Sequence, residues 1–284
     1  MSNKVTIKSE YLTVVISTMG AELQSVKYDE KERLWQGDPA FWSGRAPILF
    51  PVCGSLRDKK YVYGGKEYSL PQHGFARRSE FNTESVSENK ATFSLKNSEE
   101  TKACYPFDFT LFVIYEVVKN RLEVTYKIQN DGNDEMWAFI GSHESYLTDG
   151  PLSAYDLVFE KAERFLSRIC EDALVSDKYD DFGSGKILEI NEDLFKRHTA
   201  VFTGINSRKI TLRKCGKSIA TLSFDAENLL MWTMKGANYI CLEPWLNYPD
   251  PTDSDYDILK KPGIMIIEAG KSYLNKHSIE YFAE

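Results

Sequence analysis

Scarcity narrows the function of this chain before any motif does. Only four of its 284 residues are histidine, so each can be weighed as a catalyst. The five cysteines (Cys53, Cys104, Cys170, Cys215 and Cys241) are odd in number and scattered, with no CxxC pair; neither a disulfide framework nor a thiolate zinc cluster is indicated. They read as reduced, mostly buried thiols of a cytoplasmic protein. No apolar run approaches the roughly 20 residues of a spanning helix, and the polar, alternating start MSNKVTIKSE lacks the apolar centre of a signal peptide. Positive charge is also short: 35 Lys and Arg against 42 Asp and Glu leave a net charge of -7. Nucleic acid and anionic membranes are therefore not expected partners. There is no GxGxxG, P-loop, βαβ rhythm or internal repeat, which removes the common nucleotide-binding classes.

What is present is period two. Leu12, Val14 and Ile16 share one face, and Leu122, Val124, Tyr126 and Ile128 oppose Arg121, Glu123, Thr125 and Lys127, as in half-buried strands. Between Phe109 and Val118 both faces are largely apolar, which predicts a central strand packed on both sides. Further strands are expected at 22–28, 91–96, 136–140, 209–213, 218–224, 239–242, 264–267 and 278–282. Helical signal is confined to NEDLFKRH, where Asn191 is a possible N-cap for about two turns. With 42% hydrophobic and 13% aromatic residues and no linker, the expectation is one all-β antiparallel domain over residues 1–284, a large sandwich or barrel with few short helices.

The most informative stretch runs from Arg45 to Phe81. It combines three arginines (Arg45, Arg57 and Arg77), His73, and turn signals at Gly54, Gly64-Gly65, Pro71 and Gly74. These predict loops and one short hairpin presenting side chains to an oxygen-rich ligand. Two other segments hold the remaining candidates. His143 follows the strand-like run MWAFI, and Glu243 sits in YICLEPW, where burial would raise its pKa and make it a better base. Phe50, Trp232 and Trp245 could stack on a ligand, or simply fill the core. His277, beside Lys276 near the chain end, reads as a surface residue, and His198 as a cation at a helix C-terminus.

Zinc binding by His73, His143 and Glu243 is possible on ligand type, but no HxH or HExxH spacing supports it. A glycosidase would need a second carboxylate from Asp225, Glu144 or Glu268, and local sequence singles out none.

The motifs ILFPVCGSLRD, LPQHGFAR, GSHESY and CLEPW, in this order and spacing, resemble the aldose 1-epimerase (galactose mutarotase-like) superfamily, particularly its LacX-like and hexose-6-phosphate mutarotase-related branch. The resemblance implies a large antiparallel β-sandwich that interconverts the α and β anomers of a hexose or hexose phosphate. It assigns Glu243 as base, His143 as acid and His73 as an orienting or assisting histidine, with no metal or organic cofactor. Arg77 and Arg45, ahead of Arg57, match the sugar-binding arginine, and Trp232 could stack against a C–H face of the sugar. One departure stands out: Glu144-Ser145-Tyr146 follow His143 where the family often has proline, a small residue and an aromatic. The expected partner is a small sugar or sugar phosphate, and the chain is a monomer or a dimer. Two convergent arginines would favour a phosphorylated sugar, a single one a neutral hexose. A noncatalytic sugar-binding or sensor protein on the same fold remains the alternative, with a related lyase or hydrolase behind it.

Overall fold

The computed structural model describes residues 3–197 and 199–283. The chain is built almost wholly from antiparallel strands, as the alternation predicts. Its largest sheet has thirteen strands among the described residues. From one edge it runs Glu144–Leu147, Tyr239–Trp245, Asn228–Trp232, Thr199–Phe202, Tyr155–Glu171, Lys209–Lys214, Lys217–Phe224, Ser272–Tyr281, Arg121–Asn130, Phe109–Val118, Lys90–Lys96 and Asn82–Val86. Leu174–Glu189 pairs alongside Tyr155–Glu171. A separate sheet of Lys4–Lys8, Leu12–Ser17, Leu23–Tyr28 and Lys31–Glu32 packs across it. The buried Tyr115 hydroxyl ties the two together by donating to the Ala21 carbonyl at 2.8 Å.

The apolar faces of both sheets close on one large cluster that includes Leu12, Val14, Ile16, Phe93, Phe109, Tyr126, Trp137 and Leu242. Arg121–Asn130 shows why period two suffices here, because its burial alternates along its whole length. Phe109–Val118 departs from its expectation. One face is buried and the other, beyond Thr110, runs from half-buried to exposed, with the Lys127 ammonium lying over the Phe112 ring.

The predicted hairpin around Gly64-Gly65 is Lys60–Tyr63 paired with Lys66–Ser69. Asn191 does cap, its Oδ1 accepting from the Leu194 N–H at 3.2 Å. The helix is nevertheless a single 3-10 turn, Glu192–Phe195, and His198 lies outside the described residues. A short α-helix, Glu99–Cys104, starts at Ser98 with a reciprocal cap to Thr101. Among the described residues no helix is long and apolar enough to cross a membrane.

The longest strands, Tyr155–Glu171 and Leu174–Glu189, carry no clean sequence signal. They turn at Asp172 and Ala173, both at positive φ, without the usual glycine. Their register slips at three points, between Val158 and Glu163, Arg164 and Leu166, and Arg168 and Cys170, and the alternating buried face of the first includes the polar Glu163 and Ser167, which hides it from an apolar count. The tip docks against the loop after Tyr239–Trp245 through Val175 N–H to Asp250 O at 2.9 Å. This brings Cys170 and Ala173 to the rim of a cleft.

Candidate active site

The cleft opens at the sheet edge where Glu144–Leu147, Tyr239–Trp245 and Asn228–Trp232 lie side by side. In Tyr239–Trp245 the side chains alternate, so Cys241, Glu243 and Trp245 share a face. Pairing of Trp232 with Cys241 and of Leu230 with Glu243 puts the tryptophan and leucine on that face too. Glu144 pairs with Leu242 and so belongs to the opposite face.

His143 comes to the cleft from a short irregular segment after the Met136–Ala138 strand. Gly141 makes this route possible: a Cβ there would lie 2.7 Å from the Trp245 ring and 2.9 Å from Cys53 Sγ. The Trp245 indole N–H then donates to the Ser142 carbonyl at 2.9 Å and pins the segment just before His143.

His73 comes from the loop between the Lys60–Ser69 hairpin and the Ala76–Arg78 turn. It sits at φ +64, an uncommon place for a non-glycine residue. Its backbone N–H donates to the Gly54 carbonyl at 2.8 Å, and the Gly54 N–H donates to its Nδ1 at 3.0 Å. A neutral His73 must therefore carry its proton on Nε2, on the ring edge away from Gly54. The adjacent Gly74 passes so close to Phe50 that a Cβ would sit 2.1 Å from the Phe50 carbonyl oxygen.

These segments converge. His143 Nε2 lies 3.4 Å from Glu243 Oε2, and the His73 and His143 rings meet edge to face at 5.7 Å. Trp42, His73, Arg77, His143, Trp232 and Glu243 all line one cavity of about 270 Å³. Trp42 tilts against His143 at 5.0 Å and stands edge-on to Trp232 at 5.2 Å. Trp245 meets His73 at 5.5 Å.

Of the three arginines, Arg77 alone belongs to the cavity lining, with its Nη2 also donating to the Gln72 carbonyl at 3.1 Å. Arg45 is turned to the Gln36 carbonyl at 2.6 Å. Arg57 donates to the Ser254 carbonyl at 2.8 Å and lies over the Tyr256 ring. Phe50 is a core residue among Phe75, Tyr105 and Phe109. Trp42 escaped the sequence reading. Its only signal was an aromatic pair, Phe41-Trp42, just ahead of the arginine-rich stretch.

Electrostatics in the cleft follow from its dryness. Glu243 is 1% exposed; burial first, and then the Glu144 carboxylate, push it well above the ordinary carboxylate range. Burial lowers His143 to about 4 and holds His73 well below its usual value, helped by His143 and Arg77. Burial thus disfavours the charged form of all three groups, and of the Glu243–His143 pair it is the carboxyl that holds a shared proton more tightly.

The sandwich edge thus gathers a desolvated carboxyl, two imidazoles, an arginine and tryptophan faces around one cavity. The chain belongs to the aldose 1-epimerase family, whose model matches residues 3–251, and this supports a function of the sugar epimerase or mutarotase kind. It is 35% identical to the plasmid-borne protein LacX of Lactococcus lactis subsp. lactis over 259 residues, covering 85% of this chain and 87% of that protein. A galactose mutarotase-like protein from Lactobacillus casei superposes with a TM-score of 0.92 at 29% identity, covering 99% of this chain and all of the other. A galactose mutarotase related enzyme from Lactobacillus acidophilus superposes at 0.90 and 30% identity, over 99% and 98% of the two chains.

Proposed function

We propose that this chain is a mutarotase for a neutral hexose, with Glu243 and His143 as the proton-transfer pair and His73 orienting the ring. The observation that carries this reading is the 3.4 Å approach of His143 Nε2 to Glu243 Oε2 at the wall of a sugar-sized cavity. Glu243 as carboxylate takes the proton of the anomeric hydroxyl, and His143 as imidazolium protonates the ring oxygen. The C1–O5 bond breaks and an open-chain aldehyde forms. Rotation about C1–C2 turns the other carbonyl face to O5, and the two protons return.

The protonation preferences that burial sets suit this cycle. After ring opening Glu243 is a neutral acid and His143 a neutral base, the same pairing that burial favours without ligand. The ring-opening form has the same proton count and differs by one transfer between the two side chains. Sugar hydroxyls entering the cleft would supply the hydrogen bonds that favour its charged groups. His73 offers Nε2–H to a sugar oxygen.

A neutral substrate is favoured because only one of the three candidate arginines lines the cavity. A planar guanidinium serves sugar hydroxyls alone, whereas a phosphate is usually met by more than one cation. The same neutral pair also lends support to a noncatalytic sugar-binding protein, since a site without the charged form would bind and not turn over.

Polarimetry on freshly dissolved α-glucose and α-galactose separates the two. Accelerated mutarotation that Glu243→Gln reduces by roughly 10²- to 10⁴-fold is expected. Saturable sugar binding by calorimetry with no change in the mutarotation rate would replace the enzyme with the binding protein.

A further inference from the structure

We infer that the cleft also takes a thiophilic divalent cation, of which zinc is the type, held by His143, Cys241 and Glu243. The proposed reaction has no use for a thiol, yet the strand that delivers Glu243 delivers Cys241 two residues earlier on the same face. One ligand atom from each of these three residues lies within 4.8 Å of the other two. All three side chains are buried, with Cys241 at 0% exposure.

The geometry and charge both fit. Tetrahedral zinc with nitrogen, oxygen and sulfur ligands spaces its donor atoms roughly 3.3–3.8 Å apart, and the histidine and carboxylate already stand at 3.4 Å. The sulfur stands within 4.8 Å of both other donors, so reaching tetrahedral spacing asks for a shift of roughly an ångström. A dication bound by one carboxylate, one thiolate and one neutral imidazole forms a complex of zero net charge, which a buried site tolerates far better than a bare ion. Three protein donors leave the fourth position open, and two of them, His143 and Glu243, line the cavity. Histidine and thiolate together select zinc over magnesium or calcium, which prefer oxygen donors.

Binding of the cation needs only these three donors. Its consequence for catalysis rests on the mutarotase reading: a cation on Glu243 and His143 occupies base and acid together, so the loaded enzyme does not turn over whether or not sugar is bound. Cys241 is then the residue that makes the enzyme zinc-sensitive, without contributing to turnover.

The test uses the full chain, stripped with a chelator and titrated with cobalt(II) as a spectroscopic probe. A thiolate-to-cobalt charge-transfer band in the near ultraviolet is expected, and both Cys241→Ala and Cys241→Ser abolish it while retaining a wild-type melting profile. In parallel, zinc slows mutarotation of α-galactose reversibly with EDTA. The two cysteine variants mutarotate at the wild-type rate and lose more zinc sensitivity than the roughly 10- to 100-fold that loss of an outer-shell partner costs. Absence of the cobalt band, or zinc binding by calorimetry equal in wild type and both variants, overturns the site. A band without any mutarotase activity keeps the cation site and overturns the reaction instead.

Discussion

His277 donates through Nε2 to Oε1 of Glu144 at 2.8 Å, with both side chains almost wholly buried. His277 sits in the Ser272–Tyr281 strand opposite Val124 and Phe224, in contact with the Tyr126 ring, and not on the surface where its charged neighbourhood pointed. It answers what the unusual Glu144 does beside His143. Because Glu144 shares a face with Leu242, its carboxylate lies behind the sheet from the cleft, where it meets His277 and does not confront the substrate. Its charge is still felt across the strand, where it raises Glu243.

The Glu144→Gln variant therefore has two expected effects. Removing a negative charge takes away one of the causes that raise Glu243, so the alkaline limb of the activity profile moves to lower pH. The fold also loses a buried pair, at a cost on the order of 3 kcal/mol in denaturant unfolding. Burial pushes Glu144 up, but the His277 charge and hydrogen bond outweigh it and leave its pKa below the ordinary 4.5. Since the folded value is depressed, the pair's contribution is present above that range and lost as pH falls through the folded value. An unshifted alkaline limb in a folded Glu144→Gln protein would mean the two carboxylates do not communicate.

The activity profile itself should be bell-shaped, because the working pair holds one proton. Below the His143 value of about 4 the pair gains a second proton and loses its base. Above the raised Glu243 value it holds none and loses its acid. Initial mutarotation rates at low sugar, measured across pH, should place the acid limb well below that of an ordinary histidine. An acid limb near 6.5 would show that His143 is not desolvated in solution.

Legibility followed local pattern. The alternating Arg121–Asn130 strand, the Gly64-Gly65 hairpin and the Asn191 cap all announce themselves within a few residues. Tyr155–Glu171 and Leu174–Glu189 do not: the buried face of the first is interrupted at Lys161 and includes the polar Glu163 and Ser167, and the second is exposed over most of its length. Convergence of His73, His143 and Glu243 is a long-range fact, suggested by the family resemblance and by no spacing. The burial of His277 and the outward turn of Arg45 and Arg57 are likewise set by partners far along the chain, Glu144, Gln36 and Ser254.

Those arginines give a direct test of the substrate reading. Arg77→Ala should raise KM for the neutral hexose roughly 10- to 100-fold, the scale of a lost charged hydrogen bond. Arg45→Ala and Arg57→Ala should leave KM within about twofold, because their guanidinium groups are engaged with backbone carbonyls outside the cavity. A larger KM effect from either variant on a hexose 6-phosphate than on the free hexose would instead bring a second cation to the site and favour the phosphorylated sugar.

Gly74→Ala tests the loop that carries His73. The new methyl would sit 2.1 Å from the Phe50 carbonyl oxygen at a position of φ +68, so backbone and not a flexible side chain must yield. A loss of about 3 kcal/mol or more is expected in urea unfolding. Any folded fraction should show a higher KM, since His73 moves with its neighbour.

Glu243→Gln carries the reverse expectation for stability. In the folded chain Glu243 is held well above 4.5, mainly by burial, whereas in the unfolded chain it ionises near the ordinary value. A group whose folded pKa is raised contributes its stability below the unfolded value and loses it as pH rises towards the folded one. Wild-type stability thus falls across that window by up to about 1.4 kcal/mol per pH unit of the shift. Glutamine has no proton to lose, so the variant escapes this fall. His143, whose own pKa is lowered, weakens both proteins alike on the acid side and cancels in the comparison. Thermal melts should therefore show the two proteins close together at about pH 4 and the inactive variant the more stable at about pH 8. A gap that is flat with pH would show that Glu243 titrates normally, and would remove the physical basis for its role as the cleft's base.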